Sequence, residues 1–187
     1  NKLQLLPHFQ DINESIPAIE YVKVDGVWEQ NRNTTEAERV VELVKMLQNE
    51  QPNASVGVVT FNYPQQQLIE QLLQETVEQG EVGWKKSFFV KNIENVQGDE
   101  RDIIIFSVGY APDARGRFRA QFGTLNARGG ENRLNVAVTR ARQKVYVVTS
   151  IWPDQLQVEM AVHSGPKLLK SYLAYALNVS SGTYRPR

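Results

Sequence analysis

Arg133-Leu134-Asn135-Val136-Ala137-Val138-Thr139-Arg140-Ala141-Arg142 runs directly into Lys144-Val145-Tyr146-Val147-Val148-Thr149. At about 100° per residue, Leu134, Ala137, Val138 and Ala141 fall at i, i+3, i+4 and i+7, so the first half predicts a helix with one apolar stripe. The second half is short, apolar and β-branched, the pattern of a strand buried on both faces. A helix feeding straight into such a strand is a building unit of parallel α/β sheets. On that helix Arg133 and Arg140 lie on one side of the stripe, and Asn135, Thr139 and Arg142 on the other. Two arginines with different outlooks predict two jobs, one of them holding phosphate with a planar, permanently charged fork.

Working outward, the same alternation continues. Ile19 to Val24 alternates like a strand and stops at Asp25-Gly26. Asn33-Thr34-Thr35-Glu36 predicts a helix start, Asn33 accepting from free amides and Glu36 reaching back, with Ala37, Val40, Val41, Val44 and Leu47 inward. Ser55 to Thr60 is a second buried strand. Gln65 to Val77 is a second helix with Leu68, Ile69, Leu72, Leu73 and Val77 inward, and Phe88 to Val90 is a brief strand. Asp102 to Ser107 is the strongest strand signal. A long glycine- and arginine-rich loop, Tyr110 to Asn132, follows it, and Leu168, Leu169, Tyr172, Leu173 and Ala176 predict a last helix. The pattern predicts one three-layer α/β/α domain with a mainly parallel sheet, right-handed crossovers and ligands at the carboxyl ends of the strands. Residues 1–30 form an irregular lead-in carrying the first short strand, 33–150 the core, and 151–187 the last helix and tail. On this scheme Thr60-Phe61-Asn62, the loop Gln97-Gly98-Asp99-Glu100 and the polar flanks of the Arg140 helix share one edge.

A chain of 187 residues, 41% apolar and 22% charged, has enough material for one soluble core. The longest apolar run, around Ile103-Ile104-Ile105-Phe106, is far too short to span a bilayer, and no targeting segment opens the chain, so no membrane partner and a cytoplasmic location are expected. The first residue is Asn1 rather than Met, and the chain reads as a piece of a larger protein. There is no cysteine, and His8 and His163 stand far apart, so neither a thiolate nucleophile nor a metal centre is expected. Formal net charge is zero, yet Arg115, Arg117, Arg119, Arg128, Arg133, Arg140, Arg142 and Lys144 face only Asp113 and Glu131 in their stretch. That cluster reads either as a solvated loop or as a surface for phosphates.

Nucleotide hydrolysis normally needs a Gly-rich loop ending Gly-Lys-Ser/Thr, and the chain has none: Gly129-Gly130 is followed by Glu131-Asn132. No paired acids follow a strand to hold magnesium. Alone, the chain is expected to hydrolyse nothing, while remaining able to complete another domain's site.

Val96-Gln97-Gly98-Asp99-Glu100-Arg101-Asp102-Ile103-Ile104-Ile105-Phe106-Ser107 resembles motif V of the superfamily I helicases, and Arg133 to Arg142 resembles their motif VI, in the wording of the branch that includes the nonsense-mediated-decay helicase. Asn33-Thr34-Thr35-Glu36-Ala37 and Val58-Val59-Thr60 followed by Gln65 match preceding family segments, and the likeness spans about residues 33 to 150. Phe89-Val90-Lys91-Asn92 and Gly109-Tyr110-Ala111-Pro112-Asp113 are most similar to large bacterial multidomain helicase-like proteins. The resemblance implies a second, C-terminal RecA-like domain of the P-loop NTPase type, lacking its own P-loop. It implies ATP with magnesium, held mainly by an absent first RecA-like domain of the same parent chain. Arg140 would be the arginine finger, with Gln97, Gly98, Glu100 and Arg142 also at the nucleotide, and Thr60, Asn62 and Thr139 would meet single-stranded DNA or RNA. Closure and opening of the two domains around ATP would move the grip along the strand. A non-catalytic α/β module binding protein or nucleic acid is the competing expectation.

Overall fold

The computed structural model describes residues 17–80, 83, 87–118 and 121–183. The lead-in up to residue 16, Trp84, Arg119 and the tail from residue 184 lie outside the described residues. In chain order come β1 (Ile19–Lys23), α1 (Thr34–Glu50), β2 (Val56–Thr60), α2 (Tyr63–Glu78), β3 (Phe89–Asn92), β4 (Arg101–Ser107), α3 (Gly130–Val138), β5 (Ala141–Thr149) and α4 (Gly165–Ser180). The five strands form one sheet in the order β1-β5-β4-β2-β3, and every pairing is parallel.

Side-chain alternation along the central strands divides the core into two layers. Ile103 and Ile105 of β4 join Val56 and Val58 of β2 beneath Val40, Val44 and Leu47 of α1 and Ile69 and Leu73 of α2. Ile104 and Phe106 point the other way, to Leu134 and Ala137 of α3 and Leu169, Leu173 and Ala176 of α4. Burying each such aliphatic side chain contributes about 2 kcal/mol, and a one-residue slip would exchange the two faces, so the register is strongly fixed. This is the three-layer α/β/α arrangement the sequence predicts.

The crossovers share one hand. From β1 to β2 to β3 the chain travels one way across the sheet with α1 and α2 on one face. From β3 to β4 to β5 it travels back on the other face, where Ile93 and Val96 of the β3–β4 connection and α3 are buried. Reversing direction and face together preserves handedness. The reversal opens a crevice at the carboxyl ends of β2 and β4, where open α/β sheets take ligands.

The predicted helix through Arg142 is corrected: α3 ends at Val138, and Ala141 and Arg142 begin β5. The Arg140 amide bonds the Ala137 carbonyl (3.1 Å) in a tighter 3₁₀ step, and the Arg140 carbonyl accepts the Arg101 amide (3.0 Å), which starts the β4–β5 ladder. Sheet pairing captures the last residues that helical periodicity would have kept. The capping box is also corrected. Asn33 accepts from the Glu36 amide (3.1 Å) as expected, but the Asn33 amide donates to Gln65 Oε1 (2.8 Å), and the Glu36 carboxyl turns inward to the end of β4.

The described part of the long segment before α3 is built rather than loose. A bridge joins Pro112 to Phe118, a 3₁₀ turn runs over Gly123–Asn126, and Phe122 and Leu125 are buried. The Leu125 carbonyl lies between the first residues of α3 and α4, where a Cβ on Gly130 would stand 2.0 Å from that oxygen and one on Gly165 2.1 Å. Backbone cannot yield as a flexible side chain would. Gly130→Ala should therefore cost about 2–3 kcal/mol, which lowers the Tm by roughly 5–10 °C. Gly165→Ala should cost a similar amount, and the double variant less than the sum, because one separation of the helices relieves both clashes. Thermal unfolding of the three variants checks this, and full additivity would contradict the shared carbonyl.

Candidate functional site

The candidate residues divide between the two opposite ends of the sheet. Gln97, Gly98 and Glu100 lead into the amino end of β4, Arg140 lies between α3 and β5, and Arg142 is the second residue of β5. Thr60 closes β2 and is paired with Ser107, whereas Arg101 is paired with Ala141. Six residue steps along β4, from Arg101 to Ser107, separate these levels, about 20 Å at roughly 3.3 Å per residue. The expectation of a single shared edge is thereby corrected: a loop that precedes a parallel strand lies at its amino end, and one that follows lies at its carboxyl end.

At the amino edge the β3–β4 connection is pinned by Lys91 Nζ on Asp99 Oδ2 at 2.6 Å. Gly98 has φ +82° with open space where a Cβ would be, and Gln97 and Glu100 are exposed beside it. Glu100 meets Arg142 (Nε to Oε2, 3.4 Å), both largely exposed, an ion pair worth little in water. Arg140 is half-buried and has no carboxylate partner among the described residues. Its Nε donates to the Val136 carbonyl (2.9 Å) and its Nη2 to Thr139 Oγ1 (3.2 Å). A salt bridge between Arg140 and Glu131 is not formed. Behind this edge Asp102 accepts from both the amide and the hydroxyl of Ser55 (2.8 and 2.7 Å), which holds its carboxyl below the usual range.

At the carboxyl edge the side chains expected to touch nucleic acid are otherwise engaged. Thr60 is fully buried and donates to the Asn62 carbonyl (2.8 Å). Asn62 caps α2, accepting from the Gln65 amide (2.8 Å) and donating to the Asn31 carbonyl (3.0 Å). Thr139 is at the other end of the domain, its hydroxyl turned onto α3. Around Asn62 lies a pocket of about 250 Å³ walled by Trp28, Phe61, Pro64 and Tyr110 and edged by Asn31. Gln30 and Asn31 form a tight turn with φ of 50° and 61° between the bridged Glu29 and Arg32. Strain of this kind gathers at functional sites.

Among the described residues the basic stretch does not make one phosphate surface. Arg117 pairs with Asp113 (3.1 Å), Lys144 with Glu20 (2.8 Å) and Arg142 with Glu100, while Arg133 donates to the Thr124 carbonyl (3.2 Å). Arg115 and Arg128 are exposed. They lie in the segment after β4, with the amide ends of the helices, where the dipoles add positive potential.

Sequence reasoning missed the buried network beneath the carboxyl edge. Glu36 accepts from the Gly109 amide (2.6 Å), the Ser107 hydroxyl (3.2 Å) and Asn33 Nδ2 (3.3 Å), and Asn33 Nδ2 also reaches Ser150 Oγ (2.8 Å). Gln65 Nε2 donates to Ser107 Oγ and the Asn33 carbonyl, both at 3.0 Å. Burial pushes the Glu36 carboxyl up from its ordinary 4.5 to about 7, against the lowering effect of these donors. The available signal was the glutamate on the same helical face as Val40 and Leu43. No cluster of His, Cys, Asp and Glu able to hold a metal occurs, and no helix is long and apolar enough to cross a membrane, among the described residues.

Residues 9–151 match the profile of the AAA domain family. The chain is 41% identical over 162 residues to the uncharacterized ATP-dependent helicase MG140 of Mycoplasma genitalium and 40% identical over 162 residues to its homologue in Mycoplasma pneumoniae. Each alignment covers 81% of this chain and 14% of the relative, so the chain spans a small part of these proteins' length. Among solved structures it is similar to the C-terminal domain of a possible DNA helicase from Lactobacillus plantarum, with a TM-score of 0.45 and 13% identity over 74% of this chain and 78% of the other.

Proposed function

We propose, from the premise that the chain belongs to the AAA domain family and is superfamily I helicase-like, that it is the C-terminal motor domain of an ATP-dependent helicase or translocase. The observation that carries this reading is Arg140: a guanidinium free of any carboxylate among the described residues, at the junction of α3 and β5, on the same edge as the Gln97–Glu100 loop. An arginine so held can reach the γ-phosphate of an ATP bound, with magnesium, by the first RecA-like domain of the parent chain. Glu100 would accept from the ribose hydroxyls, with Gln97 and Gly98 shaping the loop and Arg142 steadying Glu100.

The single strand of DNA or RNA would cross the opposite edge, about 20 Å away, over the surface that carries Asn31, Asn62 and the exposed Tyr63. Thr60, buried with its hydroxyl on the Asn62 carbonyl, serves that grip by fixing the β2–α2 turn, while Asn62 caps α2 and keeps its second amide N–H for the strand. Separate edges suit a motor, because domain closure over the nucleotide at one edge shifts the strand-bearing edge as a rigid body.

The test is ATP turnover with and without single strand, by the full parent chain and by residues 1–187 alone. Strand-stimulated turnover by the parent and none by the fragment is expected. A parent that turns over no ATP would leave a binding module with a helicase fold.

A further inference from the structure

The short connection between α3 and β5 leaves Arg140 little freedom. Because the Arg140 amide bonds the Ala137 carbonyl, the Val136 carbonyl loses the amide four residues on that a regular helix would give it. Two side chains fill that position: Thr139 Oγ1 lies 2.9 Å from the Val136 oxygen, and Arg140 Nε donates to it at 2.9 Å. Thr139 Oγ1 also accepts from Arg140 Nη2 at 3.2 Å. The hydroxyl proton thus turns into the helix end and a lone pair turns toward the guanidinium. That end of α3 is the negative end of its dipole, which favours a cation there.

We infer that Thr139 is a positioning residue, whose hydroxyl, with the Val136 carbonyl, docks the Arg140 guanidinium on the end of α3 and leaves Nη1 and the outer N–H of Nη2 for an incoming phosphate. The inference rests on the reading of Arg140 as the arginine finger, and it moves Thr139 from the nucleic-acid grip to the nucleotide edge. The geometry favours this over a strand contact, since the proton and a lone pair of the hydroxyl are both occupied within α3 and its cap. A docked guanidinium starts each cycle near its working position, so removing the hydroxyl should slow chemistry without weakening binding of either ligand.

The experiment is steady-state ATP turnover by the full parent chain, with single-stranded DNA or RNA varied, for wild type, Thr139→Val, Thr139→Ser, Arg140→Ala and Thr139→Val/Arg140→Ala. Valine keeps the β-branch and removes the hydroxyl; serine keeps the hydroxyl. Thr139→Val should lower kcat about tenfold with KM for ATP and for the strand unchanged, Thr139→Ser should stay within about twofold of wild type, and the double variant should be no slower than Arg140→Ala. Thr139→Val at wild-type kcat beside a crippled Arg140→Ala would overturn the inference and leave the finger reading intact. A raised KM for the strand that serine does not rescue would overturn it in favour of a nucleic-acid contact. Wild-type turnover by Arg140→Ala would remove the finger reading and the inference together.

Discussion

Arg140→Ala in the full parent chain should lower strand-stimulated ATP turnover by at least about a hundredfold, while Arg115→Ala stays near wild type. Arginine fingers are worth roughly 10³ to 10⁵ in rate because they meet charge that grows on the transferring phosphoryl group in a site already closed to water. A hundredfold loss corresponds to about 2.7 kcal/mol of transition-state stabilisation, below the usual range for a finger and so a conservative bound. The fold should survive the substitution. Arg140 forms no ion pair with a described residue, and the one carbonyl its Nε bonds lies at a helix end that water can reach. Arg140→Lys should recover part of the rate at most, since a point charge replaces a planar fork. Arg142→Ala should cost far less, because the Arg142–Glu100 contact is long and exposed on both sides. Turnover by the parent chain and its alanine variants, with circular dichroism to verify folding, separates these outcomes. Unchanged turnover in Arg140→Ala would leave the nucleotide edge without its principal residue.

How much of this was legible in the sequence depends on which force decides each position. Strands β2, β4 and β5 were legible because burial on both faces leaves continuous β-branched runs. The end of α3 was not. Ala141 continues the helical stripe and Arg142 its polar flank as well as they begin a strand, and only the ladder to Arg101 decides between them. Placement of the motifs on edges follows from counting whether each loop precedes or follows its strand. The Gln97–Glu100 loop precedes β4, so it and Thr60 lie at opposite ends although both are polar segments next to buried strands. Thr60 and Asn62 were legible as residue types, but their bonds within the β2–α2 turn were not, because a threonine or asparagine beside a helix start caps a turn as readily as it meets phosphate. The inward turn of Glu36 had only its helical face as a signal, and the capping pattern of Asn33-Thr34-Thr35-Glu36 pointed elsewhere.

Glu36→Ala should destabilise the domain by about 3–4 kcal/mol near pH 5, and by about 2–3 kcal/mol less near pH 8. The carboxyl is fully buried, and the Gly109 amide, the Ser107 hydroxyl and Asn33 Nδ2 all donate to it. Alanine leaves these donors without their acceptor, and each buried orphan costs about 1–3 kcal/mol before relaxation. The pH term has a definite sign. Burial raises the folded-state carboxyl to about 7 from the ordinary 4.5. Between those values the folded chain keeps a proton that the unfolded chain has released, so the stabilisation supplied by Glu36 is complete below about 4.5, declines as pH rises to about 7, and is level above it. Other groups titrate alike in wild type and variant and cancel in the difference. Urea unfolding of both at pH 5 and pH 8 measures it. A penalty that grows with pH would mean that the three donors outweigh desolvation and that Glu36 is ionised in the folded core. This network joins the starts of α1 and α2 to the ends of β4 and β5. Its loosening should therefore also weaken single-strand affinity of the parent chain while leaving the Arg140 edge, about 20 Å away, unaltered.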